Sequence, residues 1–208
     1  MPVKRRIFLV DDDLAVCHAL SVFLKASGYL VRTFNSAEAF INGTADADAA
    51  DGILLLDQRM TGMSGLELQA ELGRRCIHLP IIFISGHGDV QMSVKAVKAG
   101  AIDFLEKPFS NEDLLASIRE AFLRFDEYKK RTDKVNSMRE CYACLTQRER
   151  EVMRYVVAGL SNRQMAERLG VSDRTVEVHR SRGMKKMAAQ SLPDLVRKYA
   201  LCKDSDPE

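Results

Sequence analysis

The 208-residue chain is 46 % hydrophobic and 29 % charged, ordinary proportions for a globular protein of one or two domains, each long enough to bury a core. No run approaches 18 apolar residues, which excludes a helical membrane span. Five cysteines (Cys17, Cys76, Cys141, Cys144, Cys202) and no N-terminal signal stretch argue for free thiols in a reducing compartment, the cytoplasm. The formal net charge of +2 conceals an asymmetry: residues 1–123 hold 12 Lys and Arg against 16 Asp and Glu, and residues 146–208 hold 13 against 9. An acidic front half is a poor surface for a polyanion, so any nucleic-acid contact falls to the rear.

In the front half, short apolar runs alternate with helical patterns, which predicts a parallel sheet covered on both faces. Ile7–Val10 reads as a strand. Leu14, Cys17, Leu20, Phe23 and Leu24 recur at helical spacing over Leu14–Ser27 and stop at Gly28. Tyr29–Phe34 is a second strand, and Ser36 is placed to cap a short helix over Ala37–Asn42. Gly52–Leu56 is apolar without alternation and therefore buried on both faces. A glycine-broken loop, Thr61–Gly65, leads into a helix over Leu66–Leu72. Pro80–Ile84, Val90–Ala99 and Ile102–Leu105 read as strand, helix and strand, with Gly86 and Gly88 in the loop before the helix. Asn111–Tyr128 is amphipathic. The prediction is an α/β domain, a doubly wound five-stranded parallel sheet, over residues 1–125.

Residues 126–144 are charged with few apolar anchors and read as a partly helical linker. Cys141-Tyr-Ala-Cys144 lies there without the two further nearby ligands that zinc needs. From Leu145 the period is helical throughout, which makes residues 145–208 a small all-α domain. Thr146 and Glu149 have capping-box spacing ahead of Arg148–Ala158. Ser161 or Asn162 opens a short helix to Leu169, and Gly170-Val171 turns the chain. Ser172 or Asp173 caps a longer basic helix through about Met187, and Leu192–Leu201 is the last. Two short helices joined at a tight glycine turn, the second one basic, have helix-turn-helix geometry.

Chemistry concentrates at the strand ends. In an open α/β sheet, sites gather outside the carboxyl edge, and Asp11, Asp12, Asp57, Ser85 and Lys107 all occupy such ends. Clustered carboxylates repel one another, and oxygen ligands with open water positions suit Mg²⁺. Asp57 is then a nucleophile for a phosphoryl donor, with Lys107 and the Ser85 hydroxyl available to the transferred oxygens.

Val10-Asp11-Asp12, Leu56-Asp57-Gln58-Arg59-Met60 with Gly62-Met63-Ser64-Gly65, Ser85-Gly86-His87-Gly88-Asp89 and Glu106-Lys107-Pro108-Phe109 carry a resemblance to the receiver domain of two-component response regulators, a flavodoxin-like fold, in the FixJ-like branch. The resemblance implies that Asp57 is the phosphoacceptor, charged by a sensor histidine kinase. It implies that Asp12, Asp57 and the backbone carbonyl of Arg59 hold Mg²⁺, with Asp11 helping through water. Ser85 is then the switch hydroxyl, Lys107 the phosphate-binding cation and Phe104 the switch aromatic. His87, a loop residue in the pattern, is a weak catalytic candidate. Thr61 stands where the pattern often has proline, which is expected to loosen the loop without removing a ligand. The face of Val90–Ala99, Ile102–Leu105 and Asn111–Phe122 is the expected dimerisation surface; the plainer reading is that Leu114, Leu115, Ile118 and Phe122 only cover the sheet.

Leu145–Val152, Gly159–Ala166, Leu169–Ser172 and Arg174–Arg180 resemble the four-helix LuxR/NarL-type DNA-binding domain. By position, Glu177, Val178 and Ser181 face base edges, while Asn162, Arg174, Thr175, Arg180, Arg182 and Lys185 mostly meet phosphates. Arg197 and Lys198 read as a solvated face. Gly183 departs from the family, which usually has a larger residue there; either fraying of the helix or close approach of its backbone to DNA would account for it.

The resulting expectation is a transcriptional regulator, not an enzyme. Its phosphorylation promotes homodimerisation and binding to double-stranded promoter DNA, with RNA polymerase recruited for activation. Two other classes compete with it: an adaptor whose rear helices bind protein, separable by a gel shift on random duplex, and a Mg²⁺ phosphohydrolase, separable by turnover of a small phosphoester.

Overall fold

The computed structural model describes residues 5–44, 52–86 and 90–202; the expected loop residues His87, Gly88 and Asp89 lie outside them. The chain divides into two compact units, Met1–Tyr128 and Lys129–Glu208.

In the first unit, strands β1 (Arg6–Val10), β2 (Leu30–Phe34), β3 (Gly52–Asp57), β4 (Ile81–Ser85) and β5 (Asp103–Glu106) alternate with helices α1 (Leu14–Ala26), α2 (Ala37–Gly43), α3 (Gly65–Arg74), α4 (Val90–Lys98) and α5 (Asn111–Ala143). The sheet is wholly parallel in the order β2-β1-β3-β4-β5, the doubly wound order whose crevice lies between β1 and β3. Its uninterrupted apolar runs follow from two-sided burial. Phe8, Val10, Leu54, Leu56, Ile81 and Phe83 pack on one face against Ala37, Phe40, Leu68, Leu72 and Ala96 of α2, α3 and α4. Ile7, Leu9, Ile53, Leu55, Ile82 and Ile84 face the other way, against Cys17 and Leu24 of α1 and Leu114, Ile118, Ala121 and Phe122 of α5. With successive side chains pointing to opposite faces, every position of β3 is buried.

On the α5 part of the expected dimer face, Leu114, Ile118 and Phe122 are therefore sheet-covering residues. Among the described residues, Val94, Val97 and Leu123 are exposed apolar side chains in this part of the unit. Helix α5 continues to Ala143, so the stretch read as a partly helical linker is helical through that residue.

The second unit follows Lys129–Ala143 with α6 (Gln147–Val157), α7 (Asn162–Leu169), α8 (Asp173–Lys186) and α9 (Leu192–Ala200). Thr146 and Glu149 form the capping box expected from their spacing, Ser161 and Gln164 form another, and Ser172 rather than Asp173 caps α8. Gly170 makes the left-handed turn between α7 and α8. Val152, Met153, Val156, Met165, Val176, Met187, Leu195 and Tyr199 form the core.

Gly183 behaves differently from either expectation. It is buried inside α8, which runs on to Lys186 without fraying, and a methyl group there would come within 2.8 Å of Met153 Cε and 3.0 Å of its Cγ. The glycine lets α8 approach α6; it is a packing position in the domain core. Gly183→Ala gains about 1 kcal/mol of helix propensity but overpacks the contact at a cost of about 1–3 kcal/mol. The expected net effect is destabilisation of the second unit, read by hydrogen exchange of α6 and α8. In a Met153→Ala background the same change is expected to become stabilising; without that reversal of sign, Met153 is not what confines Gly183.

Candidate metal centre and nucleic-acid interface

The ends of β1, β3, β4 and β5 converge because the register aligns them: Val10 pairs with Leu56, Asp57 with Ile84 and Ser85 with Glu106. The residues that follow or close these strands therefore meet at one edge. Oxygens of Asp11, Asp12 and Asp57 lie within 4.8 Å of one another. Lys107 Nζ donates to Asp11 Oδ2 and to Asp57 Oδ1, each at 2.9 Å. Its backbone N–H donates to Ser85 O at 2.7 Å, which fixes the base of the lysine beside the buried Ser85. Gly65 opens α3 against this edge; a Cβ there would overlap Asp57 O and the Phe83 ring. Phe104, the expected switch aromatic, is partly buried and stacks on Phe83 with centroids 6.4 Å apart.

Each carboxylate has its own surroundings. Asp11 is 2 % exposed and accepts from the Asp13 N–H at 2.9 Å. Asp13 is not part of the cluster: its Oδ1 accepts from Ala15 and Val16 N–H and caps α1. Asp12 is exposed, and its Oδ2 accepts from both the backbone N–H and the hydroxyl of Thr61, at 2.8 and 2.9 Å. Those bonds, the backbone one first, hold its carboxyl below the ordinary range. Asp57 is 6 % exposed, and its Oδ2 accepts from Arg59 N–H at 2.8 Å. Burial pushes its carboxyl above the ordinary range, against the hydrogen bond and charge of Lys107, while Asp11 adds to the rise. For Lys107, burial works to lower the pKa, but the hydrogen bonds and charges of Asp11 and Asp57 outweigh it and the net direction is upward.

The residues fit a hard divalent cation. In an octahedron with ligand distances near 2.1 Å, adjacent oxygens stand about 3.0 Å apart and opposite ones about 4.2 Å, so oxygens within 4.8 Å of one another are near enough for side-chain rotation to close them onto one ion. Three carboxylates against one ammonium leave the cluster short of positive charge.

Two contributors escaped the sequence. Thr61, expected to loosen its loop, instead ties that loop to Asp12. Glu38 of α2 accepts from Met63 N–H at 3.0 Å and pins the same loop from the opposite flank. Thr61 carried a signal, as a hydroxyl in place of proline; Glu38, far away in sequence, carried none. A separate concavity of about 330 Å³, lined by Gln69, Leu72, Leu79, Ile81 and Phe125, adjoins the start of β4, at the opposite end of the strand from Ser85, and is apart from this chemistry.

In the second unit, Arg174, Glu177, Val178, Ser181 and Arg182 line one shallow surface groove on α8, so five of the expected contact residues share a face. Arg180 Nη1 donates to Asn162 Oδ1 at 2.9 Å, joining α8 to the start of α7. Thr175 Oγ1 lies 2.8 Å from Ser172 Oγ, within the cap of α8. Lys185 is exposed in the last turn of the helix. Among the described residues, no helix is long and apolar enough to cross a membrane.

Comparison with known proteins follows the same division. Residues 7–119 match the profile of the response regulator receiver domain, and residues 143–199 that of the luxR family of bacterial regulatory proteins. Similar proteins include the response regulator protein TmoT of Ectopseudomonas mendocina, 46 % identical over 199 residues (96 % of this chain, 90 % of TmoT). The transcriptional regulatory protein FixJ of Rhizobium meliloti (strain 1021) is 44 % identical over 191 residues (92 % and 93 %). Among solved structures, the response regulator StyR is similar with a TM-score of 0.85 and 38 % identity, over 95 % of this chain and 99 % of that one.

The direction of the Asp57 shift has a consequence for stability. When an acid's folded pKa lies above its unfolded value, the unfolded form ionises first, and stability falls as pH rises from the unfolded pKa, 3.8, through the folded one. In metal-free buffer Asp57→Asn is therefore expected to be more stable than the parent at pH 7, with the gap closing as pH falls towards 3.8. Urea unfolding in EDTA measures this; an asparagine variant less stable at neutral pH would contradict the sign.

Proposed function

The chain belongs to the FixJ-like branch of bacterial response regulators, phosphorylation-regulated transcription factors, and from that premise we propose that Asp57 is its phosphoacceptor and α8 its recognition helix. The donor is a phosphohistidine on a sensor kinase. A carboxylate oxygen of Asp57 attacks phosphorus, the P–N bond to histidine breaks, and the phosphoryl group remains on Asp57 as an acyl phosphate. The observation that carries the reading is the Lys107 ammonium 2.9 Å from both Asp57 and Asp11, a cation already placed where phosphoryl oxygens would sit. Ser85, at the end of the neighbouring strand, is within the same edge to donate to one of them.

Mg²⁺, held by Asp12, Asp57 and the Arg59 backbone carbonyl with Asp11 assisting, would supply charge neutralisation for the equatorial oxygens. Lys107 supplies the remaining counter-charge and orientation. Burial favours the transfer further, since electrostatic interactions strengthen where water is excluded.

The added charge at Asp57, near −2 and with new acceptor oxygens, draws on Ser85 and Lys107 and biases the β4–β5 side of the receiver, where Phe104 stacks on Phe83. Dimerisation through that side brings two copies of the rear domain to one promoter. In this reading residues 1–125 are the receiver, 126–144 the linker and 145–208 the DNA-binding domain. Glu177, Val178 and Ser181 read base edges in the major groove. Arg174, Thr175, Arg182 and Lys185 meet phosphates, and Arg180 does so steadied by Asn162. Activation through RNA polymerase belongs to the same proposal.

Two outcomes are expected. Incubation with radiolabelled acetyl phosphate and Mg²⁺ should label the parent chain and leave Asp57→Asn unlabelled; label retained in the variant would place the acceptor elsewhere. On DNA, Glu177→Ala should change the preferred sequence, whereas Arg182→Ala should weaken all sequences nearly alike and reduce the salt slope by about one unit. Binding measured on a randomised duplex library at several salt concentrations separates them, and equal effects from both would refute the division of α8 into reading and positioning residues.

A further inference from the structure

We infer that Thr61 is a positioning residue for the metal centre: its backbone N–H and its hydroxyl hold the Asp12 carboxylate in the ligand position. The inference rests on the reading that Asp11, Asp12 and Asp57 hold Mg²⁺, and adds to it a residue outside the ligand set.

Both Thr61 donors converge on one oxygen, Asp12 Oδ2, at 2.8 and 2.9 Å. A carboxylate oxygen accepts about two hydrogen bonds, so Oδ2 is satisfied and Oδ1 is left for a cation. Without these bonds an exposed aspartate samples several side-chain rotamers, and the ion would have to order it on binding. Proline, common at this place in related loops, could make neither bond, having no N–H and no hydroxyl. The departure from the pattern thus exchanges stiffness of the chain for a direct hold on a ligand.

The donors are themselves fixed. Met63 N–H donates to Glu38 Oε1 at 3.0 Å, Ser64 N–H donates to Glu67 Oε2 at 2.8 Å within the capping box of α3, and Gly65 N–H donates to Gln58 O at 3.1 Å. The loop from Asp57 to α3 is therefore anchored on α2, on α3 and on the end of β3, whatever Asp12 does. Thr61 presents its donors from a prepared frame, which is what distinguishes positioning from mutual accommodation.

The test is calorimetric titration of Mg²⁺ into the full-length protein without phosphodonor, for the parent, Thr61→Val, Thr61→Ser, Thr61→Pro and Asp12→Ala. Thr61→Val keeps shape and backbone N–H but loses the hydroxyl, and should weaken binding by about threefold to tenfold, the scale of ordering one side chain. Thr61→Pro, lacking both donors, should weaken it at least as much. Thr61→Ser keeps both donors and should match the parent, which a purely structural role of the γ-methyl would not allow. Unchanged affinity in the valine and proline variants would overturn the inference, and tighter binding would overturn it in favour of Thr61 competing with the ion for Oδ2. If the parent binds no Mg²⁺, or Asp12→Ala leaves its affinity intact, the metal reading itself fails and takes the inference with it. Thermal unfolding of each variant in EDTA checks that the compared proteins are folded.

Discussion

The front unit depends on the contact of one ammonium with two buried carboxylates. Asp11 and Asp57 are 2 % and 6 % exposed, and isolated buried charges cost several kcal/mol each. Lys107 offsets that cost by reaching both at 2.9 Å, and it can do so only if three strands end together. The lysine's own N–H bonded to Ser85 O ties β5 to β4 at that level. Gly65 permits α3 to start against the same edge. Burial nevertheless prevails at Asp57, whose carboxyl is pushed upward. One ammonium does not neutralise three carboxylates, and a divalent ion at the cluster would add the missing positive charge.

What the chain disclosed in advance divides along physical lines. Strands buried on both faces need apolar residues at every position, so Ile7–Val10 and Gly52–Leu56 announced themselves, and with them the strand ends carrying Asp11, Asp12, Asp57, Ser85 and Lys107. Caps made by side chains were legible too: Thr146 with Glu149 has a spacing that nothing else requires. Bonds from a backbone N–H to a side chain on a distant element leave no such trace. The bond of Thr61 N–H to Asp12 and that of Met63 N–H to Glu38 are invisible in sequence, because every residue but proline carries the donor and the acceptor lies on another element. Gly183 was misread for a related reason: a glycine in a basic helix signals close approach, but only the packing of Met153 identifies what approaches.

The second unit meets the opposite electrostatic demand, holding together a surface rich in cations. Its buried acid, Glu149, belongs at once to the capping box of α6 and to an ion pair with Lys186 Nζ at 2.7 Å, which joins α6 to the last turn of α8. One carboxylate therefore anchors α8 while engaging a lysine of its last turn. Arg180 is restrained similarly by Asn162. A helix that must enter a groove gains from such restraint, since side chains already ordered lose less entropy when they bind.

Control by phosphate requires that the added charge be felt unequally by two states, because a modification that stabilises both alike shifts nothing. Lys107 gives the asymmetry a source. Its ammonium is divided between Asp11 and Asp57; on the proposed reading a dianionic group on Asp57 would compete for it with more charge and more acceptors. A state that brings Lys107 and Ser85 onto the new oxygens would then be favoured over the one that leaves them as they are. Amplification comes from assembly. A single small helix-turn-helix domain makes few base contacts, whereas a dimer places the second domain near the adjacent half-site at an effective concentration on the order of millimolar. On the proposed reading, a modest bias in dimerisation at the receiver would thereby become a large change in promoter occupancy, with no change in α8.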